Sequence, residues 1–127
     1  MVLRAEPASV PVARAFVSQA AEELHYDRAA TEGLRLGVTE AVANAVEHGT
    51  PCGGGLISLS VYLEGGCLTT EVADCGDFQA ARQSTTGLDD RGRGLLLMIA
   101  VMDHVEIDSV PGRTVVRLTK RLPGNRA

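Results

Sequence analysis

The chain has 127 residues, enough for one sizeable core and too few for two ordinary ones, so a single domain spanning 1–127 is expected. Hydrophobic residues make up 45% and charged ones 22%, and the longest apolar run is far too short to span a bilayer, which argues against a membrane protein. A net charge of −4, with no Trp, two Tyr and two Phe, leaves neither a basic footprint nor aromatic platforms for direct nucleic-acid binding.

The N-terminal stretch "MVLRAEPASVPVARAF" lacks the continuous apolar core and small-residue cleavage site of a secretory signal, so a cytoplasmic location is expected. Cys52, Cys67 and Cys75 form no C-x-x-C pair, and reduced thiols follow. Val2 to Arg4 fits a short strand. Ser9 reads as an N-cap, after which Val12, Phe16, Ala20 and Leu24 repeat at helical spacing until "HYD" interrupts the pattern near residue 26. Asp27 can cap a second, long helix that stops at Gly49, with Pro51 soon after.

The second helix carries an unusual polar series. Glu40, Asn44 and His48 recur every four positions and project to about 0°, 40° and 80° around the axis, while Leu34, Val38, Ala41, Val42, Ala45 and Val46 fill about 100° to 240°. The stripe therefore borders the buried face. Gly33 and Gly37 fall on the stripe, where each costs a helix roughly 1 kcal/mol relative to Ala, which suggests that something comes close there. Taken alone, Asn44 fits a half-buried residue bonded to a neighbouring loop as well as it fits a ligand site.

Ile57, Leu59, Val61 and Leu63 alternate with polar residues, Gly65-Gly66 offers a hairpin, and "CLTTEVAD" returns as the paired strand ending on Asp74. From Phe78 to Gly94 no strand or helix period is visible, which predicts a mobile loop. "GLLLMIAVM" suits a buried helix, and "HVEIDSV" and "TVVRLTKRL" around the turn "PGR" form a closing hairpin. The predicted class is α+β, a two-layer sandwich with helices on one face of a mixed, mostly antiparallel sheet.

Three segments, "EAVANAVEHG", "VADCGDF" and "DRGRGLLLM" followed by "MDHVEI", resemble in order and spacing the ATP-binding motifs of the GHKL superfamily, which includes gyrase, histidine kinases and MutL. Within it the chain is most similar to the anti-sigma-factor serine kinases, over roughly residues 9 to 122. The resemblance implies the Bergerat version of the two-layer fold and a site for ATP and Mg²⁺. It gives Asn44 the task of holding Mg²⁺ against the phosphates and Glu40 that of general base towards the attacking group. Both suit the chemistry: Mg²⁺ keeps several waters and takes one or two oxygen ligands beside phosphates, and a carboxylate one turn away can accept a proton. His48 receives no catalytic task and reads as a helix-end residue capping carbonyls.

In the second motif Asp74 would accept the adenine amino proton and Gly76 would let the base lie close, whereas Asp77-Phe78 replaces the family's second glycine. In the third, Gly92, Arg93 and Gly94 would meet phosphate oxygens with helix N–H groups and positive charge, with Arg91 nearby, and Gln79 to Arg91 would form a lid. Thr114 matches the threonine that contacts the adenine region. A phosphoacceptor-His helix or a large second domain, which other branches carry, is not visible. The implied function is that of an anti-sigma factor whose kinase activity phosphorylates a serine of a STAS-domain antagonist, working as a homodimer. The alternatives are a switch kinase that acts on a STAS scaffold without binding a sigma factor, and a nucleotide-binding interaction module without transfer activity.

Overall fold

The computed structural model describes residues 1–48, 55–74 and 90–124, with the backbone alone at 48 and 90–95. Its elements run β1 (Val2–Arg4), α1 (Ser9–Glu23), α2 (Arg28–His48), β2 (Leu56–Glu64), β3 (Cys67–Asp74), α3 (Asp90–Val101), β4 (His104–Val110) and β5 (Arg113–Arg121). The strands form one sheet in the order β1-β2-β3-β5-β4, and every described pairing is antiparallel. Among the described residues the sheet is therefore wholly antiparallel rather than mixed. β4 does run in the direction of β3, but β5 lies between them, so no parallel ladder can form.

Register explains which face is covered. Leu59, Val72, Val116 and Ile107 form one row across four strands, and Val61, Thr70, Leu118 and Val105 form the next. The helices cover these rows, with α2 against the sheet and α1 and α3 flanking it. Leu34, Val38 and Val42 of α2 and Ile57, Leu59 and Leu118 of the sheet are fully buried, each stabilising the fold by roughly 1.5–3 kcal/mol. Gly65 and Gly66, at φ of 59° and 77°, turn β2 into β3, positive angles that a side chain would strain.

Three details differ from the pattern in the sequence. Ser9 is already helical: Ala8 is the N-cap and makes no side-chain cap bond, while the Ser9 hydroxyl donates to the Arg4 carbonyl at 2.6 Å. The buried stripe of α1 is Ser9, Ala13, Val17 and Ala21, whereas Val12 is 46% exposed and Phe16 and Leu24 are half-buried at its margins. Small residues at four-residue spacing let α1 lie close to α2, so the larger set one position round takes the edges. In the same way α3 is not buried all round. It seats Met98 fully while Leu96, Leu97 and Ile99 are exposed, because it forms one flank of the helical layer. The Asp27 cap forms as expected, its carboxylate accepting from the Ala30 N–H at 2.7 Å.

The two glycines of α2 do serve a close approach, though not to a ligand. A Cβ on Gly33 would stand 3.1 Å from the Val101 carbonyl oxygen, and one on Gly37 would stand 3.1 Å from the Met102 sulfur. The end of α3 and the residue after it occupy that space.

Candidate functional site

Asn44 reaches the wall of a cleft because α2 turns its polar stripe towards the gap between itself and the ends of β3 and β5. The cleft is narrow, with a cavity volume of about 10 Å³, and is lined by Ala41, Asn44 and Ala45 of α2, Asp74 of β3, Met98 of α3, and Thr114 and Val116 of β5. The lining is apolar except at Asn44, Asp74 and Thr114. Those three were singled out from separate segments of the sequence, and the fold brings them together.

Asp74 is the final residue of β3 and stands directly opposite Thr114 in the β3–β5 register. Thr114 is buried and Asp74 is half-buried. Strand alternation places both on the helix-facing side, in line with Ser109 of β4, whose hydroxyl lies 3.4 Å from that of Thr114. Sequence reading passed over Ser109, which shows only as one of many serines until register puts it beside Thr114. It also assigned Ala41 and Ala45 to the core alone, although both line the cleft beside Asn44. Met98 supplies a soft, adaptable floor.

Glu40 lies one turn before Asn44 on α2, about 6 Å along the axis, half-buried and outside the cleft lining. Next to it, the Thr39 hydroxyl accepts from Arg14 Nε at 3.2 Å, which ties α1 to this turn of α2. Gly92, Arg93 and Gly94 stand within the first turns of α3, which starts at Asp90, so the glycines open the helix from inside it and Asp90 and Arg91 are helical rather than part of a loop. The N–H groups up to Gly92 have no partner within the helix, whereas those of Arg93 and Gly94 fall within its i to i−4 ladder. Gly76, the Asp77-Phe78 pair and the expected lid from Gln79 as far as Leu88 and Asp89 lie outside the described residues, as does the side chain of His48.

No three His, Cys, Asp or Glu side chains gather into a metal cluster among the described residues. Asn44 offers a single neutral oxygen at the cleft, a donor set that fits a hard cation already carrying water and phosphate oxygens and does not fit a dedicated protein-only cage. Charge is concentrated on the opposite, open face of the sheet. There Arg117 meets Asp108 at 2.6 Å, Glu106 at 2.8 Å and Glu71 at 3.5 Å, and the bond from Asp108 leads the influences that hold its guanidinium further above the usual range. The cleft itself is comparatively neutral. It sets the Asp74 carboxylate and the Asn44 amide beside an apolar wall of Ala41, Ala45, Met98 and Val116.

Comparison with known proteins agrees with this arrangement. A family model described as a histidine kinase-like ATPase domain matches residues 3–120. The "Anti-sigma F factor" of Thermoanaerobacter sp. (strain X514) is 34% identical over 102 residues, covering 73% of this chain and 71% of the relative. The "Serine-protein kinase RsbW" of Bacillus velezensis is 33% identical over 139 aligned positions, covering 99% of this chain and 86% of the relative. The crystal structure of the RsbU and RsbW domains of Rv1364c from Mycobacterium tuberculosis matches with a TM-score of 0.71 at 23% identity, over 96% of this chain and 32% of that one, a likeness of fold.

Proposed function

The chain belongs to the histidine kinase-like ATPase family, and from that premise we propose that it is an anti-sigma factor and ATP-dependent serine kinase that phosphorylates a STAS-domain antagonist. The convergence of Asn44, Asp74 and Thr114, distant in sequence, on one otherwise apolar cleft is the observation that carries this reading. Adenine lies against Ala41, Ala45, Met98 and Val116, its amino group donating to Asp74, with Thr114 beside it and Gly76 allowing close approach. The phosphates extend towards Asn44 and the first turn of α3, where Gly92 presents an N–H group, Arg93 supplies a cation and Gly94 keeps the turn free of a side chain. Bound Mg²⁺, held by Asn44 and the phosphates, would supply positive charge to the transferring group.

Glu40 acts as general base. It takes the proton of the antagonist's serine as that oxygen bonds to the γ-phosphorus and the bond to the bridging β–γ oxygen breaks, releasing ADP. Its position one turn from Asn44 supports this role. The protein works as a single domain of residues 1–127 and as a homodimer in the cytoplasm, holding either a sigma factor or the unphosphorylated antagonist. The family match across residues 3–120 supports the single domain, and the resemblance to the anti-sigma kinases supports the dimer and its two partners. No helix among the described residues is long and apolar enough to cross a membrane.

The test is phosphate transfer from γ-labelled ATP to a purified STAS-domain protein encoded beside this one, with sigma-factor binding followed by size exclusion on the same samples. Labelling of one serine and sigma release by unphosphorylated antagonist are expected. Transfer without any sigma binding would point to a scaffold-directed switch kinase, and binding of ATP and partner without transfer to an interaction module.

A further inference from the structure

We infer that Lys120 is a positioning residue for the phosphate end of the cleft, anchoring α3 by the Val101 carbonyl so that the first turn of that helix is held in place. The inference rests on the nucleotide reading above and adds a residue that contacts no part of the ligand.

Lys120 stands opposite Leu68 in the β3–β5 register, on the face that also buries Leu118 and Val116. A charged side chain on a core-facing position needs a partner. Its Nζ donates to the Val101 carbonyl at 2.7 Å, one of the last carbonyls of α3, which have no N–H partner within the helix. A cation there also opposes the negative end of the helix dipole. Gly33 makes the contact possible: a Cβ at that position would lie 3.1 Å from the Val101 oxygen and 3.6 Å from Lys120 Nζ. The next residues are fixed as well. The Asp103 N–H donates to the Thr119 carbonyl at 3.0 Å, and its carboxylate accepts from the Arg121 N–H at 2.7 Å and from the Arg121 guanidinium at 3.3 Å. Lys120 is itself steadied, since its carbonyl accepts from the Tyr26 hydroxyl at 2.8 Å.

One end of α3 is thus fastened to β5 and α2, and the other carries Gly92 and Gly94. From Val101 to Gly92 the axis runs about 14 Å, so a tilt of roughly 5° at the anchored end moves the glycine turn by about 1 Å. Met98, which lines the base end of the cleft, lies within one turn of Val101 and moves far less. Loosening the anchor should therefore disturb phosphate contacts and spare the base pocket.

The experiment measures, by calorimetry on the full chain, affinities for ATP–Mg²⁺ and for adenosine, which has no phosphates. Lys120→Met keeps most of the stem and removes the cation, and Lys120→Arg keeps a donor. The methionine variant should bind ATP–Mg²⁺ about tenfold more weakly and adenosine within about twofold of wild type, with arginine recovering most of the loss. Gly33→Ala, which pushes on the Val101 carbonyl without altering charge, should shift the same ratio and decides the matter if Lys120→Met does not fold. Equal losses for the two ligands, or none for ATP, would overturn the positioning role alone. A wild type that binds neither ligand would overturn the nucleotide reading and this inference with it.

Discussion

Asp74 and Thr114 face each other across the β3–β5 ladder, the last residue of one strand against a buried hydroxyl near the start of the next. An antiparallel pair holds such groups within about 5 Å at Cβ, so in the proposed arrangement carboxylate and hydroxyl would meet the same part of the nucleotide. Replacing Asp74 by Asn exchanges one acceptor oxygen for a donor. ATP affinity should fall by about 1–3 kcal/mol and the preference over GTP should narrow, since guanine presents a carbonyl where adenine presents an amino group. Calorimetry with both nucleotides checks this, and equal ATP and GTP affinity in the wild type would remove the role of Asp74.

Asn44 touches the phosphates only through the metal in the proposed arrangement. Asn44→Ala should bring ATP affinity in Mg²⁺ down to the level that wild type shows with EDTA, leaving adenosine affinity unchanged. Titration of both proteins in the two buffers gives the comparison.

As the proposed general base, Glu40 offers a way to separate binding from chemistry. Glu40→Gln keeps the shape of the side chain and its half-buried site on α2, so ATP affinity should stay within a few fold while transfer to the STAS protein slows by about 10²–10⁴, the range for losing a positioned general base. Single-turnover labelling measures the rate, and wild-type transfer in the variant would leave Glu40 a structural residue.

Thr70 lies in the core row between Val61 and Leu118, fully buried, and its Oγ1 has no hydrogen-bond partner among the described residues. Thr70→Val keeps the volume and removes an unpaired hydroxyl, so the protein should gain about 1 kcal/mol, or roughly 3–5 °C in Tm. Thermal unfolding followed by circular dichroism provides the measurement.

Tyr26 donates to the Lys120 carbonyl, and burial first, with the negative charge of Cys67 and Asp103 adding to it, pushes its hydroxyl up to about 12 from 10.0. A raised value means that the folded state keeps a proton the unfolded chain gives up. The stabilisation is therefore complete below pH 10 and is lost as pH rises towards about 12. The stability difference between wild type and Tyr26→Phe should shrink over that interval, as urea titrations at several pH values would reveal.

Much of the fold was legible because the signals were local. The strand alternation at Ile57 and Leu59, the Gly65-Gly66 turn and the Asp27 cap each depend on neighbours along the chain and form as read, whereas Leu63, expected on the covered face, is exposed near the end of the strand. What failed depended on partners remote in sequence. The identity of the α1 stripe is decided by how closely α2 approaches, and the absence of a parallel ladder by β5 entering between β3 and β4. The site divides likewise. Asn44, Asp74 and Thr114 stood out by motif, whereas Ser109 and Lys120 gain meaning only from register. At Gly33 and Gly37 the sequence signals a close approach without naming what approaches, and register and packing supply it: a carbonyl and a sulfur of the same chain.

The position of β5 has a bearing on synthesis at the ribosome. It is the last strand in chain order, yet it sits inside the sheet, bonded to β3 on one side and β4 on the other, and it supplies Thr114 and Val116 to the cleft. Until β5 is made, β4 has no strand to pair with and the cleft lacks Thr114 and Val116. Emergence of residues 113–121 then closes sheet and pocket together. Sheet and cleft are thus completed by the same strand.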